Sequence, residues 1–273
     1  MATRRRWWHW FGGVVAALAA LFAAGVLLGA PVAYPFDLVH NLGGVVGVAT
    51  LRAPADGKVR VVVLQHGLFR TARSLGRLQR TLAAHGYEVL NPGYPSTRGT
   101  IEQHAVALAA AIETRRAGGP VDEWAFVGHS LGGLVIEQYL RSPGAVAPAA
   151  CVYLGTPHRG AMLADLRRHW FVFRWAMGTG AACQLSPGDP LHRLPLPWPE
   201  RSGAVVGDLG AANPAIPGHD DGTVAVAEAH LPGAKAEVTL PVGHTGLTVA
   251  DAALHQVLHF LAKGAFAPVP ARQ

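Results

Sequence analysis

Charged side chains are scarce in this chain, and one long run near its start lacks Asp, Glu, Lys and Arg altogether. Asp, Glu, Lys and Arg make up 15% of its 273 residues, and none of them occurs from Trp7 to Phe36. A helix needs about 20 apolar residues to cross a bilayer, so this run is long enough. Arg4 to Arg6 precede it, and basic residues stay mainly on the cytoplasmic side. We predict that residues 1–34 form one transmembrane helix, with the rest of the chain on the non-cytoplasmic side.

A cleaved signal peptide is the alternative interpretation of this segment, and it would leave a secreted protein. Signal peptides also have a basic start and an apolar middle, but that middle usually covers about 7–15 residues. The apolar stretch here is longer, and Pro31 directly follows the small residues Gly29 and Ala30, which is unfavourable for cleavage there. Tryptophans beside the arginines, such as Trp7 and Trp8, are typical of interfacial anchors.

The chain also lacks the patterns of nucleic-acid-binding and metal-dependent proteins. Its formal net charge is +6, and without Arg4 to Arg6 the remaining 20 of its 23 basic residues stand against 17 acidic ones. Nucleic-acid binding requires a basic patch, which so small an excess does not indicate. No His-Glu-x-x-His sequence is present. We therefore expect no nucleic-acid partner, no metal and no cofactor.

Residues 35–273 suit one large α/β domain in length, and they contain no internal repeat and no long low-complexity linker. The apolar, β-branched run at 61–64 is typical of a buried parallel strand. Strand patterns cover 61–64, 87–90, 123–127, 150–154, 203–207 and 236–240, and helical patterns cover 71–86, 101–116, 133–140 and 248–263.

The segment from Gly128 to Gly132 is a Gly-x-Ser-x-Gly motif that lies between a predicted strand and a predicted helix. A sharp turn in that position lifts a serine Oγ out of the sheet, and the glycines relieve the crowding. The motif therefore predicts that Ser130 is a nucleophile. The alternative is a serine that merely caps the following helix.

A serine nucleophile requires two further side chains. Its hydroxyl reacts poorly at neutral pH, so a histidine must take the proton and an acid must orient that histidine. In folds that place a serine at such a turn, the acid comes later in the chain than the serine, and the histidine comes later than the acid. Asp220 and Asp221 come after the strand at 203–207, and His244 comes after the strand at 236–240. Asp208 directly follows a strand and is a third candidate for the acid.

Four sequence blocks resemble the α/β-hydrolases of the lipase and esterase type. They span residues 60–263 in family order, and they are Gln65-His66-Gly67-Leu68-Phe69, Gly128-His129-Ser130-Leu131-Gly132-Gly133, Leu154-Gly155-Thr156-Pro157-His158-Arg159-Gly160, and Asp221-Gly222-Thr223-Val224 followed by Pro241-Val242-Gly243-His244. The resemblance implies the α/β-hydrolase fold, in which a mostly parallel central sheet is flanked by helices.

The resemblance also implies roles for single residues. Ser130 would be the nucleophile and His244 the base. The acid in such lipases precedes Gly-x-Val, which favours Asp221 over Asp220. We interpret His158, in the third block, as a residue that orders its loop.

Two backbone N–H groups usually hold the oxyanion of acyl transfer. One belongs to the residue after the nucleophile, Leu131, and the resemblance assigns the other to Leu68, which follows His-Gly. The implied activity is that of a lipase or carboxylesterase, which hydrolyses lipid or other apolar acyl esters through an acyl-enzyme. The alternatives are a thioesterase or amidase with the same triad, and a non-catalytic, membrane-tethered domain that binds a lipid or partner. A binding domain does not need a complete Ser, Asp and His set, so the sequence favours an enzyme.

An insertion is predicted at about residues 158–202. It contains Trp170, Phe171, Phe173 and Trp175, and a proline-rich stretch follows at 187–199. In hydrolases of this shape such a segment often forms a cap or lid, whose aromatic side chains exclude water and bind an acyl chain. Alternatively, these aromatic residues pack the segment onto the sheet.

Overall fold

The computed structural model describes residues 56–167 and 180–269. The predicted membrane anchor at 1–34 and the aromatic stretch at 170–175 lie outside these described residues. Across the two described ranges, no helix combines the length and the apolar character that a membrane span requires.

A six-stranded sheet forms the centre of the described part of the domain, and all of its neighbouring strands are parallel. This confirms the predicted mostly parallel sheet. The strand order is β2-β1-β3-β4-β5-β6. The strands are β1 (Arg60–Gln65), β2 (Glu88–Leu90), β3 (Glu123–His129), β4 (Pro148–Leu154), β5 (Ser202–Gly207) and β6 (Ala236–Leu240).

Helices cover both faces of the sheet. The helices of the described ranges are α1 (Gly76–Ala84), α2 (Ile101–Ala117), α3 (Leu131–Leu140), α4 (Met162–Arg167), α5 (Ala181–Gln184), α6 (Val226–Ala229) and α7 (Asp251–Lys263). On one face α2 and α3 pack against alternate β1 residues such as Val61 and Val63. On the other face α1 and α7 pack against Val62 and Leu64. A central strand buried on both faces must be apolar throughout, which explains the uninterrupted run at 61–64.

Two predicted helices begin later in the structure than their sequence patterns suggest. The pattern at 71–86 contains a 3₁₀ turn, Ala72–Leu75, before α1, and the pattern at 248–263 overlaps a 3₁₀ turn, Gly246–Thr248, before α7. Such tighter turns are frequent at the ends of α-helices. In contrast, α2 begins one residue after Thr100, whose side chain forms a capping box with Gln103, so the prediction at 101–116 is confirmed within one residue.

The strand order places the predicted motifs at one edge of the sheet. Parallel strands all end at the same edge. The chain leaves β1 for β2 on one side of it and leaves β3 for β4 on the opposite side, so the direction reverses between β1 and β3. In open α/β sheets, ligands bind in the crevice that this reversal creates at the carboxyl ends of the strands. The loop after β1 and the turn after β3 flank that crevice.

Candidate active site

Ser130 occupies a strained turn between β3 and α3. Its φ of 54° and ψ of −127° are angles that L-residues rarely adopt and that cost about 1–3 kcal/mol. The Ser130 N–H donates to the Leu154 carbonyl oxygen over 2.9 Å, which fixes the turn to β4. The Ser130 side chain makes no capping hydrogen bond to α3. The interpretation of Ser130 as a simple helix cap therefore does not hold.

The glycines of the motif are required by close backbone contacts. A Cβ atom at Gly128 would lie 2.5 Å from Gly133 Cα, and one at Gly132 would overlap the Gln65 carbonyl group. A Cβ at Gly133 would overlap the Thr156 side chain. The turn thus fits between the ends of β1 and β4 because these positions carry no side chain.

Asp221 and His244 form a buried hydrogen-bonded pair. His244 Nδ1 lies 2.6 Å from Asp221 Oδ2, and the His244 backbone N–H donates to the Asp221 carbonyl oxygen over 2.8 Å. The other carboxylate oxygen, Oδ1, accepts the N–H groups of Thr223 and Val224 over 2.9 and 2.7 Å. An ionised carboxylate only accepts hydrogen bonds, so His244 Nδ1 carries the hydrogen and Nε2 of the neutral ring is an acceptor.

The other two acid candidates have different partners. Asp220 accepts backbone N–H groups from Asn213 and Gly222, the latter over 2.7 Å. Asp208 Oδ1 lies 3.0 Å from Nδ1 of the exposed His219. Of the three acids, Asp221 is the one that the structure brings to His244. In the two described ranges, no group of three or more His, Cys, Asp or Glu residues is arranged to hold a metal ion.

Three further contacts bring the predicted residues together. A Cβ atom at Gly67, after β1, would lie 3.0 Å from Ser130 Cβ. A Cβ at Gly155, after β4, would lie 3.1 Å from His244 Nδ1 and 3.2 Å from Asp221 Oδ2. His129 Nε2 lies 3.0 Å from the His244 carbonyl oxygen. The strand ends therefore converge on one place, which contains the predicted serine, acid and histidine.

Each predicted oxyanion donor directly follows, in the chain, a residue of this convergence. Leu131 is the first residue of α3, so its N–H has no acceptor within the helix. Leu68 follows Gly67, which approaches Ser130. Tyr94 holds the loop after β1 in two ways. Its hydroxyl donates to the His66 carbonyl oxygen over 2.5 Å, and its ring stacks on the His66 ring with the two centroids 4.3 Å apart.

The described parts of the insertion lie against the domain. They contain α4, α5 and two 3₁₀ turns, Pro190–Arg193 and Pro199–Arg201. Ala182 of α5 packs against Leu68, and the Ala181 N–H donates to the Gly99 carbonyl oxygen over 2.7 Å. The insertion thus places an apolar contact on the loop that holds one predicted oxyanion donor.

A second buried pair, which the sequence patterns did not indicate, joins α3 to the loop after β4. Glu137 Oε1 lies 2.7 Å from His158 Nδ1, and Arg141 donates to Glu137 Oε2 over 2.8 Å. Burial would raise the pKa of Glu137, but His158 and Arg141 outweigh it and hold that pKa below its ordinary value. The Glu137 and Arg141 contact follows the (i, i+4) spacing of a helix, whereas no local pattern predicts the contact to His158.

Comparisons with known proteins add information about the fold. No protein-family model matches the sequence, and neither does any curated protein. Among solved structures, the Bacillus licheniformis lipase BlEst2 in mature form is similar with a TM-score of 0.60 and 18% identity, over 78% of this chain and 95% of that chain. The product of gene lin2722 from Listeria innocua is similar with a TM-score of 0.54 and 18% identity, over 76% of this chain and 94% of that one.

A third similar structure is that of the metagenomic carboxyl esterase MGS0156. Its TM-score is 0.53 at 21% identity, over 74% of this chain and 68% of that chain. Identities this low establish a common fold and not a common activity. The parallel sheet, its flanking helices and these structural relatives show that the chain has the α/β-hydrolase fold, as found in lipases and esterases.

Proposed function

We propose that this protein is a serine hydrolase that cleaves carboxylic esters of apolar acyl groups through an acyl-enzyme. The observation that carries the proposal is the buried Asp221–His244 pair, joined over 2.6 Å, at the strand ends where the strained Ser130 turn also lies. A serine activated by a histidine that a carboxylate orients recurs in many unrelated folds.

The proposed reaction has two halves. Ser130 Oγ attacks the ester carbonyl carbon while His244 Nε2 takes its proton, and Asp221 stabilises the resulting imidazolium. The N–H groups of Leu68 and Leu131 hold the oxyanion. His244 then protonates the departing alcohol, which leaves an acyl group on Ser130. A water molecule, deprotonated by His244, attacks that acyl group, and His244 returns the proton to Ser130 Oγ as the carboxylic acid leaves.

The choice of an apolar acyl group rests on the surroundings of Leu68. Its side chain packs against Ala182 of the insertion and against the main apolar core, so this side of the site is not polar. A panel of p-nitrophenyl esters from short to long acyl chains measures the preferred length. Matching thioesters and anilides separate an esterase from a thioesterase or amidase with the same triad.

A fluorophosphonate probe tests the proposed function, because such probes react with activated serines. We expect the wild-type protein to be labelled at Ser130 and the folded Ser130→Ala variant to be neither labelled nor active on any ester. A folded wild-type protein that is not labelled would contradict the proposal and favour a non-catalytic binding domain.

We further propose that residues 1–34 anchor the protein in a membrane, with the catalytic domain on the non-cytoplasmic side. The support is the uncharged stretch from Trp7 to Phe36 and the preceding arginines. Extraction of the full-length protein should then require detergent, whereas a variant without residues 1–33 should be released and remain active. A mature chain that begins near residue 31 or 34 would instead identify a cleaved signal peptide and a secreted enzyme.

A further inference from the structure

His129, the residue before the predicted nucleophile, is buried against the predicted base. The residue is 3% exposed, its Nε2 lies 3.0 Å from the His244 carbonyl oxygen, and the centroids of the two imidazole rings are 4.7 Å apart. A carbonyl oxygen only accepts hydrogen bonds, so His129 Nε2 carries the hydrogen and donates it. Nothing in the motif itself requires a histidine here, because the position is variable in Gly-x-Ser-x-Gly.

The hydrogen bond from His129 connects His244 to a different part of the site than the other hydrogen bonds of His244 do. The backbone N–H and the imidazole of His244 both bond to Asp221, so these two bonds fix the base relative to the acid. The bond from His129 fixes the base relative to the residue that precedes Ser130. One peptide bond separates that residue from the nucleophile, so the connection between serine and base is short.

The surroundings of His129 keep its ring in place. A Cβ atom at Gly67 would lie 3.1 Å from His129 Nδ1, so the ring fills the space between the loop after β1 and the loop that carries His244. Burial lowers the pKa of His129 well below its ordinary value, and the neighbouring His244 and Arg70 act in the same direction. The ring therefore stays neutral and does not compete with His244 for the serine proton.

We propose that His129 is a positioning residue that holds the His244 main chain at the distance from Ser130 that proton transfer requires. This inference rests on the proposed function. A misplacement of about 1 Å between reacting groups can cost about 100-fold in rate. His244 moves a proton in both halves of the reaction, so the loss of this one bond should slow acylation and deacylation alike while leaving substrate binding nearly unchanged.

The test compares two substitutions of similar shape. In His129→Gln the amide nitrogen replaces Nε2 and can still donate, whereas His129→Met fills similar space without a donor. We expect His129→Met to lower kcat on p-nitrophenyl acetate and the rate of fluorophosphonate labelling by about 10- to 100-fold. KM should change by less than about twofold, and His129→Gln should recover most of the rate.

Another buried histidine provides the matched control. His85 Nδ1 lies 2.7 Å from the Thr81 carbonyl oxygen at the end of α1. The variants His85→Met and His85→Gln make the same chemical change outside the predicted site, so both should keep the wild-type kcat per folded molecule. If His129→Met does not fold, His129→Asn serves as the variant without this bond, because the asparagine side chain is too short for its amide to reach the His244 carbonyl oxygen.

Each outcome decides the question. A wild-type rate in folded His129→Met or His129→Asn overturns the inference, and so does an equal loss in the donor-retaining and donor-lacking variants. In either case, continued labelling of wild-type Ser130 shows that the proposed function itself stands. A wild-type protein without labelling or turnover shows instead that the proposed function has failed.

Discussion

Two buried carboxylate–histidine pairs lie in the same domain with nearly the same geometry. Asp221 and His244 are joined over 2.6 Å, and Glu137 and His158 over 2.7 Å. All four side chains are buried. The hydrogen bond to an acid therefore does not by itself distinguish a catalytic base from a structural histidine.

The surroundings of the two pairs differ. The second oxygen of Asp221 accepts two neutral backbone N–H groups, whereas the second oxygen of Glu137 accepts from the cationic Arg141. His158 Nε2 is buried without a hydrogen-bond partner in the described ranges, and the His158 ring packs edge-on against Tyr153.

The two pairs also differ in what they connect. Arg141 donates to the Pro195 carbonyl oxygen, and His192 of the insertion bonds to the His158 carbonyl oxygen. The Glu137 pair thus fastens α3 and the loop after β4 to the insertion. The Asp221 pair instead lies beside Gly155 at the carboxyl edge of the sheet, which is the edge where open α/β sheets bind their ligands. We infer that position, and not acid contact, separates their roles.

Removing the two histidines should produce the largest contrast. We expect His244→Ala to reduce ester hydrolysis by several orders of magnitude, and the double variant with Ser130→Ala to lose little more, because a triad acts as a unit. His158→Ala should retain the wild-type kcat per folded molecule. Turnover per folded molecule measures both variants, with the folded fraction taken from circular dichroism. A larger loss in His158→Ala than in His244→Ala would show that the proposal assigns catalysis to the wrong pair.

Substitution of the acid should give the next largest effect on rate. Asp221→Asn should lower kcat by about 10⁴-fold, because an amide can favour the wrong histidine tautomer and does not stabilise the imidazolium. Asp220→Asn, one residue away, is the matched control and should leave kcat nearly unchanged, since Asp220 bonds to backbone N–H groups. Steady-state kinetics measures kcat of the two variants. A lower kcat for Asp220→Asn than for Asp221→Asn would contradict the assignment of Asp221 as the acid.

Neutralising Glu137 should affect stability and not catalysis. Glu137→Gln leaves Arg141 and His158 without their carboxylate, and breaking a buried ion pair costs about 3–5 kcal/mol. Glu113→Gln is the control, because the ion pair of Glu113 with Arg116 is exposed on both sides and such pairs contribute about 0–1 kcal/mol. Urea unfolding measures the loss in the free energy of unfolding. If Glu137→Gln were as stable as the wild-type protein, the proposed structural role of Glu137 would be wrong.

The pH dependence of that stability is the smallest expected effect. The pKa of Glu137 is lowered in the folded protein, so its contribution is complete above the ordinary value of 4.5 and is lost as pH falls through the folded value. The free energy of unfolding of Glu137→Gln should therefore decline less steeply in acid than that of the wild-type protein. Parallel acid profiles of the two proteins, from urea titrations at a series of pH values, would show that folding does not lower the pKa of Glu137.

Patterns within a few residues predicted the local structure well. The strand Ala236–Leu240 matches its prediction, and the capping box at Thr100 sets the start of α2. The turn at Ser130 follows from the glycines beside it and from the strand and helix that it joins. Such features depend on contacts between near neighbours in the chain, so the sequence carries them directly.

The sequence alone therefore determined the kinds of element, their order and a short set of candidate residues. The tertiary structure decided which of the adjacent Asp220 and Asp221 meets His244, because the path of a turn directs neighbouring side chains to different sides. It also decided that His129 contacts His244 across 115 positions and that Glu137 meets His158 across 21. These contacts arise where separate strands end side by side, and no local pattern of residues records which strands become neighbours.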